Sequence, residues 1–208
     1  TIYGRALFHL RPETFYFPSR LIELKNGWCF ETTFLTKIVI PHSNENFLFE
    51  DDKYLVGKSD NSNNKFDILL FASRQIKDTF VIPSNIKVIS PYAFCECNFL
   101  TKVVITANSN LQTIGKFAFA KCDQLEISEI APDYNLQVIE ECAFKGTKIK
   151  SISIPSKVSK ICESTFEDCS ELKKINISTD SNLQVIEKYA FDYTKIRKIY
   201  FPASLKEL

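Results

Sequence analysis

A repeated Ala-Phe step, which follows an isoleucine at a fixed distance, most restricts what this chain can fold into. The phenylalanines of the step, preceded once by threonine, are Phe94, Phe119, Phe144, Phe166 and Phe191. The leading isoleucines are Ile89, Ile114, Ile139, Ile161 and Ile186. Both series are spaced by 25, 25, 22 and 25 residues. Two markers that recur together at this period predict a solenoid, in which each unit buries its apolar face against its neighbours.

Each unit divides into two parts with different apolar periodicity. In the first part, apolar residues stand at offsets of 0, 4, 5, 8 and 11, as at Ile89, Ala93, Phe94, Cys97 and Leu100. This spacing is typical of one face of a helix. In the second part they alternate, as at Val103 and Ile105, which predicts a short strand. One helix and one strand per unit predict an α/β solenoid with the architecture of leucine-rich repeats, with a parallel concave sheet and short helices on the convex side.

Residues 41–79 interrupt the period and predict a β-hairpin insertion near the N-terminus. Two apolar segments, 47–49 and 54–56, flank a charged turn, and a polar loop follows at 59–65. The insertion is too short to hold a core of its own. We therefore interpret residues 1–208 as a single leucine-rich-repeat solenoid and expect both ends to be truncated repeats.

A degenerate unit precedes the insertion. Trp28-Cys29 stands 65 residues before Ala93-Phe94, in the place of the Ala-Phe step. Leu7-Phe8 in turn echoes Leu70-Phe71, which predicts an earlier copy at the start of the chain. The chain contains no methionine and opens without the basic and apolar stretch of a signal peptide, so we expect it to be a piece of a longer protein.

The composition argues against several broad functions. The 26 basic and 25 acidic residues leave a net charge of +1, so neither nucleic acid nor a membrane surface is an expected partner. No apolar run approaches the roughly 18–20 residues of a membrane span. There is no glycine-rich phosphate loop, and both histidines, His9 and His42, lie outside the regular units. We therefore predict no catalytic site and no cofactor.

The seven cysteines are expected to be buried and reduced. Three of them, Cys97, Cys122 and Cys169, stand three residues after the repeat phenylalanine, where other units have threonine. Exchange with threonine indicates a small buried side chain rather than a disulfide. Cys95, Cys97 and Cys122 match part of the ligand pattern of a metal site. No second close pair and no nearby histidine completes it, so no metal site is predicted.

The units resemble the BspA-type leucine-rich repeat, whose consensus reads roughly I-P-x-x-V-x-x-I-x-x-x-A-F-x-x-C-x-x-L-x-x-I-x-I-P. Residues 80–105 and 151–177 carry almost all of it, and the resemblance covers about 14–41 and 80–208. Ser128 departs from it at a core strand position, where we expect an irregular strand. The resemblance implies a cell-surface or secreted protein of bacteria or parasitic protists that adheres to host cells or extracellular-matrix proteins.

Outward-facing positions on the predicted concave strands are the candidate partner-binding residues. They are Lys102, Glu129, Lys150, Lys173, Lys174, Asn176, Arg197, Lys198 and Tyr200. The C-terminal half of this set is basic, which predicts either a solvated charged face or a contact surface for an acidic protein. Asn176 also begins a glycosylation sequon, but a glycan there would cover the concave face, so we expect it to be unmodified.

Two functional hypotheses follow. The first is a non-catalytic protein-binding module, a surface adhesin type of fragment that recognises a host or matrix protein. The alternative is an intracellular scaffold or a structural component of a larger assembly, which the reduced cysteines and the absence of a signal peptide fit equally well. A leader peptide and a membrane helix elsewhere in the full gene product would favour the first.

Overall fold

The computed structural model describes residues 1–60, 62, 64–130 and 135–208, with the backbone alone at 127–129. Within these residues the chain winds into a β-solenoid. The strands, in chain order, are β1 (Thr14–Tyr16), β2 (Lys37–Val39), β3 (Phe47–Glu50), β4 (Tyr54–Lys58), β5 (Phe66–Ala72), β6 (Asp78–Val81), β7 (Val88–Ile89), β8 (Leu100–Ile105), β9 (Thr113–Ile114), β10 (Ile127–Ile130), β11 (Val138–Ile139), β12 (Ser151–Ile154), β13 (Lys160–Ile161), β14 (Lys174–Ile177) and β15 (Val185–Ile186).

The predicted strands form one side of the solenoid, which we call the long-strand face. It consists of β1, β2, β6, β8, β10, β12 and β14. These strands pair in parallel as β1 with β2, β8 with both β6 and β10, and β12 with β14. The strand that contains Ser128 pairs regularly with β8, and the ladder breaks on its other side, next to β12. The irregularity expected at this unit is therefore a break between coils, not a distorted strand.

The opposite side carries an eight-stranded sheet in the order β15-β13-β11-β9-β7-β5-β4-β3. From β7 to β15 each coil contributes two residues, and the second is the leading isoleucine of the repeat. The strands β3, β4 and β5 are antiparallel to one another, and β5 pairs in parallel with β7. The hairpin thus extends the sheet of the regular coils.

The predicted convex helices are wrong, because no helix occurs among the described residues. The segment from Ile89 to Leu100 is instead a two-residue strand followed by tight turns. The amide of Phe94 donates to the Ala118 carbonyl of the next coil at 2.8 Å, whereas that of Cys97 donates within its own coil to Phe94 at 3.0 Å. Alternate amides therefore bond sideways, which a helix with all its bonds internal does not allow. The helical offsets indicated the buried side chains correctly, but not the backbone.

Left-handed residues produce this alternation. In every turn the residues two before and two after its central residue have positive φ: Arg5 and His9, Gly27 and Glu31, Tyr92 and Glu96, Phe117 and Lys121, Cys142 and Gly146, Ser164 and Asp168, and Tyr189 and Tyr193. The central residues are Leu7, Cys29 and the five repeat phenylalanines. Leu7 therefore occupies the place of Phe94, and its predicted match to Leu70 is wrong, since Leu70 lies in β5. The described residues thus contain seven such turns.

The repeat phenylalanines form a continuous stack through the core. Successive ring centroids from Phe94 to Phe191 are separated by 4.8, 5.2, 5.6 and 5.6 Å, with the planes within 20° of parallel. Phe80 extends the stack edge-on at 5.1 Å from Phe94. Because one phenylalanine recurs in each coil, the coil repeat itself brings the rings face to face.

The N-terminal coils have a different core. Trp28 is buried between Phe17 at 6.0 Å and Phe71 at 5.8 Å, both tilted or edge-on, and the hairpin contributes Phe47 to the same cluster. The Arg74 guanidinium is buried where this cluster meets the regular coils. It donates to the carbonyl oxygen of Ala93 at 3.0 Å and to that of Cys29 at 3.4 Å. Arg74 therefore links the two cores.

Candidate surface on the long-strand face

The parallel ladders align the outward positions of the long-strand face into rows. Lys102 pairs with Ile127 in one row, and Ser151 pairs with Lys174 further along it. In the second row Val104 pairs with Glu129, and Ser153 pairs with Asn176. Since side chains alternate along a strand, residues of one row lie next to each other on one face.

The last three candidates lie beyond the final long strand. Arg197, Lys198 and Tyr200 are in an extended segment without ladder pairing. The amide of Lys195, just before this segment, donates to the Leu172 carbonyl at 2.9 Å and so attaches it to the preceding coil. The Lys198 ammonium lies 5.6 Å from the centre of the Tyr200 ring, which is 73% exposed. This coil offers a solvated cation and an aromatic ring side by side.

The basic candidates differ in whether they form an ion pair within the chain. The Lys150 ammonium binds the Glu126 carboxylate at 2.6 Å. Lys173, Lys174 and Arg197 are exposed, and no ion-pair partner for them is present in the described part of the chain. We call Lys173, Lys174, Arg197 and Lys198 the basic patch.

An acidic residue near the patch is already engaged. Glu171 lies one residue before Leu172, and its carboxylate accepts a hydrogen bond from Lys195 at 2.7 Å. That bond lowers the pKa of Glu171, and the field of Lys173 acts in the same direction. The carboxylate is committed to Lys195, so the described residues provide the basic patch with no counterion of its own.

Three other candidates are placed differently. Lys102 lies on β8 and already takes part in an interaction within the chain. Glu129 lies on β10, at a position whose side chain is outside the described residues. Asn176 lies on β14, and its side-chain amide donates to the Ser153 hydroxyl at 3.1 Å. The sequon asparagine is exposed, and whether it is modified stays a prediction.

The cysteines are unbridged, and all but Cys162 are buried. The Cys122 thiol donates to the Phe94 carbonyl at 3.0 Å, and the Cys169 thiol donates to the Phe144 carbonyl at 3.1 Å. Burial raises the pKa of Cys29 to about 11 and that of Cys95 to about 12, so these thiols stay protonated at neutral pH. No cluster of His, Cys, Asp or Glu suited to a metal ion occurs within the described ranges.

Sequence reasoning missed two features around the insertion. One is the burial of Arg74 between the two cores. The other is a groove of about 810 Å³ on the long-strand face between β2 and β6. Both features depend on how the chain returns to the solenoid after the insertion, which the repeat pattern does not predict. The only sequence signal was the loss of the Ala-Phe step between Cys29 and Phe94.

Coils of 22–25 residues with one parallel strand on the long-strand face define a leucine-rich-repeat solenoid. The chain belongs to the BspA-type leucine-rich-repeat family. The sequence model described as "BspA type Leucine rich repeat region" matches in six copies, over residues 2–101, 65–134 and 87–208. No curated protein matches the chain.

Solved structures of bacterial leucine-rich-repeat proteins are similar to this chain. The pneumococcal vaccine antigen PcpA superposes with a TM-score of 0.70 at 21% identity, over 93% of this chain and 50% of its own. A leucine-rich cell surface protein from Faecalibacterium prausnitzii superposes with a TM-score of 0.63 at 26% identity, over 85% of this chain and 50% of its own. A leucine-rich-repeat protein from Eubacterium ventriosum superposes with a TM-score of 0.63 at 21% identity, over 94% of this chain and 57% of its own.

The chain thus spans about half the length of these proteins. Among the described residues, there is no helix with the length and apolar character needed to cross a bilayer.

Proposed function

We propose that this chain is a non-catalytic protein-binding module and that its basic patch contacts an acidic surface of the partner. Leucine-rich repeats generally bind proteins through an extended face of the solenoid. The patch lies at the last long strand and in the segment beyond it, with Tyr200 beside it. Tyrosine and arginine are among the residues enriched where binding energy concentrates in protein interfaces.

The observation that carries this proposal is that no acidic side chain pairs with the basic patch in the part of the chain that the structure describes. Elsewhere lysines pair with glutamates of the neighbouring coil, as Lys116 does with Glu141 at 2.6 Å and Lys145 with Glu167 at 2.8 Å. Such exposed pairs contribute about 0–1 kcal/mol each, so stability alone does not require them. Their main effect is to cancel charge locally, and the basic patch lacks that cancellation. Uncancelled charge on one face steers an oppositely charged partner and aligns it.

The partner we infer is a host or extracellular-matrix protein, with the chain exposed at a cell surface. The support comes from relatives: the chain is a BspA-type repeat, and one similar structure is that of a bacterial leucine-rich cell surface protein. An adhesin needs an exposed recognition face rather than a pocket, which matches the open rows of the long-strand face.

The test is binding of purified extracellular-matrix proteins to the wild-type chain and to a Lys174→Glu, Lys198→Glu double variant. Reversing two charges in the patch should weaken binding about tenfold or more, and wild-type binding should weaken as salt is raised. Lys157→Glu is the matched control, since Lys157 is an exposed lysine of the return loop outside the rows. Equal binding by the double variant, with an unchanged thermal midpoint, would remove the patch from the interface. Failure of every matrix protein to bind would contradict the adhesin role.

An intracellular scaffold is the second candidate. The observation in its favour is the set of seven unbridged cysteines, which a reducing compartment keeps reduced. Finding the native protein in the cytosolic fraction of its cells would favour this role, and finding it accessible to surface-labelling reagents would contradict it.

A further inference from the structure

The long-strand face is interrupted where the insertion re-enters the solenoid. β1 and β2 form a separate two-stranded sheet, and the next long strand, β6, pairs only with β8 among the described strands. The groove of about 810 Å³ lies in this interruption. One wall is formed by Thr36 and Lys37 and the other by Thr79 and Val81. A strand is thus missing from the face at this point.

Only the β6 wall directs free backbone groups into the groove, because the amides of Thr36 and Lys37 on the other wall bond to the Glu13 carbonyl at 2.9 and 3.1 Å. The Val39 carbonyl accepts the Phe17 amide at 2.9 Å, so Val39 also faces β1. On the β6 wall the Ile82 amide donates to the Val104 carbonyl at 2.9 Å, towards β8. By the same alternation the amide and carbonyl of Val81 face the groove. One strand edge, that of β6, therefore faces the groove.

The groove-facing edge of β6 is only partly protected against pairing, since it has a bulge at its start and Pro83 follows two residues after Val81. Edge strands of natural proteins commonly carry a proline, a bulge or inward-pointing charges that prevent pairing. The bulge of β6 lies at its start, between Asp78 and Thr79, and the exposed residues after it are the uncharged Thr79 and Val81. Val81 is 52% exposed, which is high for a β-branched apolar side chain in a strand. This edge remains open to a further strand.

The charges around the groove favour an acidic occupant. The lining contains Lys37, Lys53 and Lys77 against Asp51 and Asp52. Asp52 is 3.8 Å from the Lys37 ammonium, whereas Lys53 and Lys77 have no ion-pair partner in the described part of the chain. The balance of the lining is therefore positive.

We propose that this groove binds an extended peptide segment of a partner protein by strand addition. The peptide pairs with the Val81 edge of β6 through its main chain, places β-branched or aromatic side chains beside Val81, and directs an acidic side chain towards Lys53 or Lys77. An extended strand is the chain conformation that satisfies a strand edge along its length. The site is distinct from the basic patch and shares no residue with it.

A phage-displayed library of linear 12-residue peptides, selected on the purified chain, provides the probe. Affinities of the enriched peptides are measured for the wild type, Val81→Pro and Val81→Thr. Proline removes the groove-facing amide of Val81 without removing a bond to β8, and threonine keeps both the amide and the shape. We expect about tenfold weaker binding by Val81→Pro and little change with Val81→Thr.

Hydrogen exchange on the wild type tests the same site without a variant, should Val81→Pro not fold. Peptide binding should slow exchange at Thr79 and Val81. The proposal is overturned if no peptide is enriched, if Val81→Pro binds as well as Val81→Thr, or if protection appears elsewhere. Protection that grows with protein concentration in the absence of peptide would identify a second copy of the chain as the occupant, which also overturns it.

Enriched peptides that lose affinity only for the Lys174→Glu, Lys198→Glu variant would instead bind the basic patch. That result supports the proposed function and rejects the groove, so the two failures are distinguishable.

Discussion

The N-terminal region, residues 1–72, and the regular coils, residues 87–208, both fill their cores with aromatic side chains, but the rings pack in different geometries. In the regular coils one aromatic residue per coil stacks in parallel, as Phe119 does on Phe144 at 5.2 Å and 11°. In the N-terminal region Phe17 meets Phe47 at 79° and Trp28 at 72°. Stacking requires the same side chain at the same place in each coil. Where the repeat is lost, edge-to-face contacts fill the core instead.

The backbone of the turn is nevertheless shared by both regions. Left-handed residues flank Cys29 at the same two positions as they flank Phe94. The amide of Arg5 bonds to the Gly27 carbonyl of the next coil at 3.0 Å, one position later in the turn than the Lys116 carbonyl that accepts the Tyr92 amide at 3.0 Å. The two regions therefore share the left-handed turn, whereas the sideways bonds and the residues that fill the core differ between them.

Removing one ring from the stack should have the largest effect. Phe144 is 1% exposed between Phe119 and Phe166, so Phe144→Ala should lower the free energy of unfolding by about 3–5 kcal/mol. Urea unfolding is followed by far-UV circular dichroism and by the fluorescence of Trp28, the single tryptophan, which reports the N-terminal region.

Both signals should shift together if the two regions unfold as one unit. Phe144→Leu is the control, because it keeps an apolar side chain and should cost less. An unchanged midpoint for Phe144→Ala would contradict its place in the core. A shift in circular dichroism without a shift in Trp28 fluorescence would show that the regions unfold independently.

The link between the regions should have the next largest effect. Arg74→Ala removes the guanidinium that bonds to both Cys29 and Ala93, together with the side chain that lies 4.8 Å from the Phe71 ring. We expect a loss of about 2–4 kcal/mol. The Trp28 transition should then precede the circular dichroism transition, because the contact between the two cores is the part removed.

Arg74→Met separates packing from charge. The Ala93 carbonyl also accepts the Ala72 amide at 2.8 Å, and the Cys29 carbonyl also accepts the Thr32 hydroxyl at 2.7 Å, so both stay bonded without arginine. Removing a buried cation that lacks a carboxylate partner also relieves its desolvation cost. Arg74→Met should therefore recover most of the stability. If it is as unstable as Arg74→Ala, the hydrogen bonds rather than the packing hold the regions together.

The fold could be predicted from the sequence as far as the repeat extends. The spacing of the phenylalanines and isoleucines predicted the solenoid, and the alternation of Val103 and Ile105 predicted the long strands. The helix prediction failed because offsets of 0, 4, 5, 8 and 11 record only which side chains are buried. Non-glycine residues with positive φ, such as Tyr92 and Glu96, leave no clear trace in a single sequence.

The candidate surface was predictable in position but not in charge balance. Because side chains alternate along a strand, the sequence alone placed Lys174 and Asn176 in the rows that the structure shows. The pairing of Lys150 with Glu126 depends on which coils are neighbours and on side-chain reach, so the sequence alone counted Lys150 as part of the basic surface. The groove depends on where the chain leaves the hairpin, which no periodicity specifies.

The smallest effect concerns the shared turn. Gly27, two residues before the centre of an N-terminal turn, and Gly146, two residues after the centre of a regular turn, both have positive φ, at 76° and 73°. A Cβ atom at Gly27 would come no closer than 3.5 Å to the Tyr92 ring, and one at Gly146 no closer than 3.8 Å to Lys121. Space for a Cβ atom is therefore available at both positions. The only cost of Gly→Ala is the strain of holding alanine in the left-handed conformation. Each substitution should lower the free energy of unfolding by about 1–2 kcal/mol.

Equality of the two costs is the informative part of this experiment. The cores around Gly27 and Gly146 differ, so equal losses mean that the backbone of the turn sets the cost in both regions. A much larger loss for Gly27→Ala would show that the contact with Tyr92 is tighter in solution, and that the N-terminal turn depends on its aromatic neighbours. Lys121→Gly is the converse control: Lys121 has the same position in its turn as Gly146, with φ of 57°, and glycine there should raise stability by about 0.5–1 kcal/mol. A gain at Lys121 together with equal losses at the two glycines would establish the left-handed turn as the common element of both regions.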